Sequence, residues 1–382
     1  MIVSMKYCEE YEYERLRVII NESVIALGGW DKFVTKGDRI LVKPNLLSKK
    51  RPEDAVTTHP MVVKALCSWL IEKGAYVVIG DSPGGLFTSV FLSGIYKTTG
   101  MEAVANETGA ALNRNFETFM ADNPRGVIMK KLSLTDMIND VDKIICVAKL
   151  KTHGMMTYTG AVKNMFGIVP GVTKAEYHLN IPDYEQFADA LVDVCLAAEP
   201  ILTIMDGIVG MEGNGPAAGN PVFTGAILAS QSPYHLDMAA CKLVGINLNS
   251  VPMLRQMIKR GLVAEDLSDI EFVGEPFETF KKRDYEIPPI ESNLMNLNDP
   301  RIPKFLKNFI RRHVQTRPLF DKELCNGCGV CLEACPAKIM EIKDGCATVD
   351  SKDCIRCYCC QELCPKKAIS IYKPTLSRVL RL

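Results

Sequence analysis

The chain has 382 residues, 47% of them hydrophobic and 24% charged, which supports more than one packed core and excludes a mainly disordered or fibrous protein. Lys plus Arg and Asp plus Glu both number 45, so overall charge points to neither nucleic acid nor an acidic partner. Ten of the 15 cysteines lie between Cys325 and Cys364. A chain of this length needs no disulfide framework, so that clustering argues for metal chemistry.

The opening MIVSMKYCEEYEYERLRV lacks the basic start, apolar run and small-residue cleavage site of a secretory signal. No uncharged apolar run reaches the length of a membrane span. The best candidate, LVDVCLAAEPILTIMDGIVG, is broken by Asp193, Glu199, Pro200 and Asp206. A soluble, reducing and therefore cytoplasmic setting is the expectation.

Residues 1–274 alternate short apolar strands with helical stretches. The pattern predicts strands at RILVK (39–43), YVVIGD (76–81), KIICVAKL (143–150), ILTIMD (201–206) and AILAS (226–230). It predicts helices over 60–73, 183–198 and 233–244. Strand–helix–strand units of this length imply an α/β fold, a mostly parallel sheet with flanking helices. Ligands in such sheets bind at the carboxyl ends of the strands.

Four polar or glycine-rich loops fall at those ends. The first, LVKPNLL (41–47), offers Lys43 and Asn45; the second, GDSPGG (80–85), offers Asp81, Ser82 and Gly84. The third spans 147–171 and carries Lys149, Lys151, His153, Gly154, Thr157, Thr159, Lys163 and Asn164. The fourth spans 205–221 and holds Gly207, Gly210, Gly213, Asn214 and Gly215. Glycine turns expose backbone N–H groups to anions, and nearby lysines and hydroxyls add charge and further bonds. Together these residues form a candidate site for a phosphate- or carboxylate-bearing ligand. The bland alternative is tight turns and solvated lysines. None of the loops is a dinucleotide fingerprint or a Walker A loop. Among the remaining histidines, His59, His178, His235 and His313, a structural role is the default. His178 follows the third loop closely and ranks after His153 for proton transfer. His153, His178 and Lys163 are the candidates for a catalytic role.

Residues 275–320 read as a basic linker with one helix, KFLKNFIRRHV (304–314). From 301 to 320 there are six Lys or Arg and no Asp or Glu. The linker either packs on the acidic larger domain, docks an acidic redox partner of ferredoxin or flavodoxin type, or touches a membrane surface.

The segment 321–373 holds two runs, each C-x2-C-x2-C-x3-C-P, and a basic tail, 374–382, follows. The first run is Cys325, Cys328, Cys331 and Cys335; the second is Cys354, Cys357, Cys360 and Cys364. Zinc sites use paired C-x2-C, whereas this triplet plus Cys-Pro suits [4Fe-4S] clusters. In bacterial-type ferredoxins the fourth Cys of each run ligates the other cluster. On that pattern one cluster uses Cys325, Cys328, Cys331 and Cys364, and the other uses Cys354, Cys357, Cys360 and Cys335. AKIMEI (337–342) and KAISIY (367–372) follow the runs symmetrically, as a small α+β ferredoxin-like domain requires. Cys346 and Cys359 are spare. Cys359 could replace its neighbour Cys360 by a register shift, against which the doubled Cys-Pro spacing argues.

With KPNLL, DSPGG, KTHG…AVKNMFG and DGIVGMEGNGP ahead of the double cysteine run, the chain resembles the prokaryotic iron–sulfur proteins of the domain of unknown function 362 family. The resemblance implies a two-domain protein with clusters, and a shared site lined by the four loops. It implies no reaction. The fold plan is also distantly similar to that of the lactate racemase family, whose catalytic residues find no match here. Two functions compete. One is an oxidoreductase that couples two [4Fe-4S] clusters to a flavin, a deazaflavin or a small anionic substrate in the α/β domain. The other is a ferredoxin-like electron carrier whose large domain docks a partner protein. A non-redox enzyme with structural clusters is a third reading.

Overall fold

A computed structural model describes residues 1–281, 284–288, 303, 315–349 and 353–374. The basic helix expected over 304–314, His313, and the tail beyond 374 lie outside the described residues.

The larger part is built on one sheet. Its strands are β1 (Ile2–Tyr7), β2 (Arg39–Pro44), β3 (Tyr76–Ile79) and β4 (Ala111–Leu112). A separate hairpin follows, β5 (Thr118–Asp122) and β6 (Lys131–Thr135). The sheet resumes with β7 (Lys143–His153), β8 (Thr157–Thr159), β9 (Leu202–Glu212), β10 (Asn220–Ser230) and β11 (Glu271–Gly274). The order is β11-β1-β10-β9-β7-β2-β3-β4, with β8 hydrogen-bonded to β7. The pairs β9–β7, β7–β2, β2–β3, β3–β4 and β1–β11 are parallel. The pairs β1–β10, β10–β9 and β7–β8 are antiparallel. The sheet is thus mixed and mostly parallel. Its parallel half, β9-β7-β2-β3, carries the strand ends that build the site.

Alternation along β7 splits the core. Ile145 and Val147 join one apolar cluster, with the helices Tyr13–Ala26 and Pro60–Glu72. Cys146, Ala148 and Leu150 join the other, with the helices Tyr184–Ala198 and Pro233–Leu243. Burial on both faces explains why β7 reads as a continuous apolar run. Local chemistry sets the helix starts. The Asp183 carboxylate accepts from the Gln186 N–H, and Ser232 does the same for the His235 N–H ahead of Pro233.

One stretch departs from the sequence expectation. Residues 205–221 are not a free loop: β9 runs on to Glu212 and pairs with β10 from Asn220. Gly207 and Gly210 are strand residues. A Cβ on Gly210 would collide with the Tyr285 hydroxyl, and one on Gly207 would press on Leu150 and Ala226. These glycines admit close neighbours rather than a turn.

The cysteine segment forms a small two-fold-like unit. Strand β12 (Arg317–Phe320) pairs antiparallel with β15 (Ile369–Tyr372), and β13 (Met340–Lys343) with β14 (Cys346–Val349). Short helices Val330–Ala334 and Cys359–Glu362 lie between them in the chain. This unit sits on the strand ends of the large sheet. Gln361 Nε2 donates to Asn214 O at 2.7 Å, Lys50 Nζ to Pro365 O at 3.1 Å, and Asn214 Nδ2 to Ile369 O at 3.4 Å. Tyr358 and Ile371 join the larger core. Gly154 has no room for a side chain because Ile371 lies against it.

Candidate functional site

Two cavities lie inside the cysteine segment. One is lined by Cys325, Cys328, Cys331 and Cys364. The other is lined by Cys335, Cys354, Cys357 and Cys360. Each cavity therefore draws three thiols from one run and the fourth from the other. Among the described residues no three His, Cys, Asp or Glu side chains converge at single-ion distance. Four thiols around one cavity, three of them from a C-x2-C-x2-C run, suit a cubane cluster. Cys359 lines neither cavity and is buried. Cys346 also lines neither, and its thiol donates to Ala347 O at 3.5 Å. Of the eight cavity cysteines, Cys328 alone is exposed.

Beneath this segment the ends of β2, β3 and β7 bring lysines together. Lys43 Nζ lies 2.7 Å from Asp81 Oδ1, both side chains buried. Lys43 also donates to Asn164 Oδ1 at 3.2 Å, and Asp81 Oδ2 accepts from the Leu46 N–H at 2.9 Å. A Cβ on Gly167 would overlap both Lys43 Nζ and Asp81 Oδ1, so glycine is required where the chain passes the pair. Lys151 has neutral partners only, Asn45 Oδ1 at 2.6 Å and Val56 O at 2.7 Å. Lys174 donates to Ser82 O and lies 5.6 Å from the centre of the Phe166 ring. Lys163 has no hydrogen-bond or ion-pair partner among the described residues, and is near enough to act electrostatically on Lys151, His153 and Glu362.

Charge and burial set the protonation states. Desolvation, reinforced by Lys163 and Lys149, pushes Lys151 down to about 7. Desolvation also brings Lys174 down to about 7, with Asp81 opposing it. His153 is buried and lowered to about 4, by desolvation first and then by Lys163. His178 is lowered to about 3 by burial; it stacks on Phe187 at 4.2 Å. The Ser82 hydroxyl and His178 Nδ1 are buried without hydrogen-bond partners among the described residues.

The cysteine segment contributes one group to this cluster. Glu362 Oε1 lies 2.9 Å from His153 Nε2, whose Nδ1 accepts from the Met155 N–H at 3.0 Å. The imidazole N–H is not aimed at the oxygen, and both atoms lack a well-formed hydrogen bond. Burial raises the Glu362 carboxyl, but Lys163 and His153 outweigh it and hold the group well below the usual carboxylate range. Four lysines, Lys43, Lys151, Lys163 and Lys174, thus face two carboxylates, Asp81 and Glu362. Sequence reasoning missed Lys174 and Glu362. The lone acid in the second cysteine run was the available signal.

Several expected residues lie elsewhere. Lys149 pairs with Asp206 at 2.8 Å and Tyr11 at 3.1 Å, beside a stack of Tyr11 on His59 at 3.6 Å. Thr157 donates to Ser250 O at 2.9 Å, and Thr159 stands opposite Lys151 in the β7–β8 ladder. Gly84 packs against Leu363, and Gly215 O accepts from the Gly154 N–H at 3.1 Å. Gly213 adopts a φ of 72° in the turn that presents Asn214. Gly84, Gly154 and Asn214 therefore hold the cysteine unit in place.

Residues 40–242 match the domain of unknown function DUF362, more than half of the chain. The chain belongs to this family. Residues 317–365 match a 4Fe-4S dicluster domain, so this DUF362 protein carries a ferredoxin-type iron–sulfur domain. A thylakoid-associated protein of Synechocystis sp. is 32% identical over 269 residues, covering 68% of this chain and 79% of that protein. The lactate racemase apoprotein from Thermoanaerobacterium thermosaccharolyticum aligns with a TM-score of 0.39 at 12% identity. The alignment covers 63% of this chain and 56% of that one. Among the described residues no helix is long and apolar enough to cross a membrane.

Proposed function

We propose that this DUF362 protein is an oxidoreductase in which two [4Fe-4S] clusters exchange electrons with an anionic ligand held by the α/β domain. The clusters take Cys325, Cys328, Cys331 and Cys364, and Cys354, Cys357, Cys360 and Cys335. Bound clusters of this type supply electrons singly at low potential. The large domain supplies the seat. Lys151, Lys163 and Lys174 provide cations that lack matched carboxylates, and Ser82 and His178 provide spare hydrogen-bonding capacity. A flavin or deazaflavin phosphate, or a small carboxylate, has the required charge, and an isoalloxazine-type ring takes electrons.

The observation that carries this reading is the excess of lysine over carboxylate directly under the ferredoxin-type domain, with Lys151 buried and Lys163 and Lys174 half-buried. An uncompensated cation in low dielectric is costly, and an anion removes that cost. Glu362 favours a second reading, in which the lysines serve only to dock the ferredoxin-type domain and the protein is an electron carrier. FMN discriminates between them. Anaerobically reduced holoprotein is mixed with FMN, and the return of cluster absorbance is followed. Saturation with FMN is expected, with half-saturation raised about 10–150-fold in Lys163→Ala, the equivalent of about 1.5–3 kcal/mol for a charge-assisted bond. The cluster spectrum should not change. Reoxidation linear in FMN and indifferent to Lys163 would leave the carrier.

A further inference from the structure

We infer that Glu362 is a built-in occupant of the anion seat, so that a ligand phosphate or carboxylate binds by displacing it. The inference rests on the proposed ligand site and names how access to that site is controlled.

Two observations carry it. First, Glu362 comes from the helix Cys359–Glu362, between two cavity cysteines, yet its carboxylate is enclosed by groups of the other domain. Lys163, His153 and His178 all act on it. It lies where the site calls for an anion. Second, it fills that role incompletely. One carboxylate acts electrostatically on Lys151, Lys163 and Lys174, and its approach to His153 at 2.9 Å is close but misaligned. The Ser82 hydroxyl, just after β3, and His178 Nδ1, on the helix Gly171–Asn180, stay unsatisfied among the described residues. A permanent structural ion pair is ordinarily completed by further hydrogen bonds.

Glu362 then sets the threshold for ligand binding. A weak anion leaves it in place. A phosphate, with more charge and three acceptor oxygens, can replace it and use the hydrogen-bonding groups that Glu362 leaves idle. The displaced carboxylate stays on the helix that carries Cys360, so an occupied seat is reported to the neighbouring cavity.

The test uses the full chain with its clusters reconstituted, and inorganic phosphate as the probe, titrated by calorimetry. Glu362→Gln keeps the size and removes the charge. Its phosphate affinity should rise about tenfold over the natural chain, within the 5–150-fold span usual for coupled sites. Glu362→Asp keeps the charge and shortens the reach, and should show a smaller gain; it carries the test if the glutamine variant loses its clusters. Lys163→Met should weaken phosphate binding in either background. Equal or weaker binding by Glu362→Gln, with the Lys163 effect intact, overturns the displacement and leaves the ligand site standing. No phosphate binding by the natural chain or either Glu362 variant overturns both.

Discussion

The Lys43–Asp81 pair is the sharpest test of how the site is held. Both side chains are essentially buried and their charged atoms lie 2.7 Å apart. Lys43→Met keeps most of the stem volume but strands the Asp81 carboxylate with only the Leu46 N–H on one oxygen. Removing one partner of a buried pair costs about 3–5 kcal/mol, because the other charge is left uncompensated. Asp81→Asn leaves the ammonium with Asn164 Oδ1 and Pro44 O, and should cost a comparable amount. In the double variant no charge remains, so the loss should fall short of the sum by about 1–3 kcal/mol. Urea unfolding followed by tryptophan fluorescence gives the cycle directly, since Trp30 and Trp69 both lie in the large domain and stack at 5.7 Å. Strictly additive losses, or a Lys43→Met midpoint equal to that of the natural chain, would refute the claim that this pair anchors the strand ends.

Three further outcomes are expected. Cys335→Ser should weaken the cluster of the second run, read by electron paramagnetic resonance of the reduced protein; damage confined to the first-run cluster would contradict the crossed assignment. Phosphate affinity should fall as pH rises through about 7, because Lys151 and Lys174 lose their protons there. Their depressed values also make ligand-free stability rise with pH from about 7 toward the ordinary lysine range near 10.4, since the unfolded chain binds more protons in that window; a flat profile in either measurement would place the lysines in solvent. Gly154→Val should push Ile371 away and loosen the ferredoxin-type domain, seen as faster proteolysis between the domains with the large domain still folded; unchanged proteolysis would remove Gly154 from the interface.

Much of this was legible in the residues. The strands at 39, 76 and 143 begin where apolar runs do, and the eight cysteines of the two cavities are those that the spacing singles out. The apolar core of β10, AILAS, carries no sign of its antiparallel pairing with β9; that reversal depends on the Gly213–Gly219 turn, whose glycines also mimic a ligand loop. Lys149 looked equivalent to Lys151 at the same strand spacing, but Asp206 on the adjacent strand claims it. Glu362 belongs to the site through contacts some 200 residues distant in sequence, which periodicity and motif spacing do not report.

The central claim is that this chain unites two cubane clusters with an anionic, electron-accepting ligand. Protein purified anaerobically, assayed for iron and sulfide and then denatured for mass spectrometry of released small molecules, tests it most directly. The account predicts about eight iron and eight sulfide per chain, with a phosphorylated or carboxylated redox-active compound that is lost in Lys163→Ala. Zinc in place of iron, or full clusters with no such compound and none taken up on adding FMN, would contradict it.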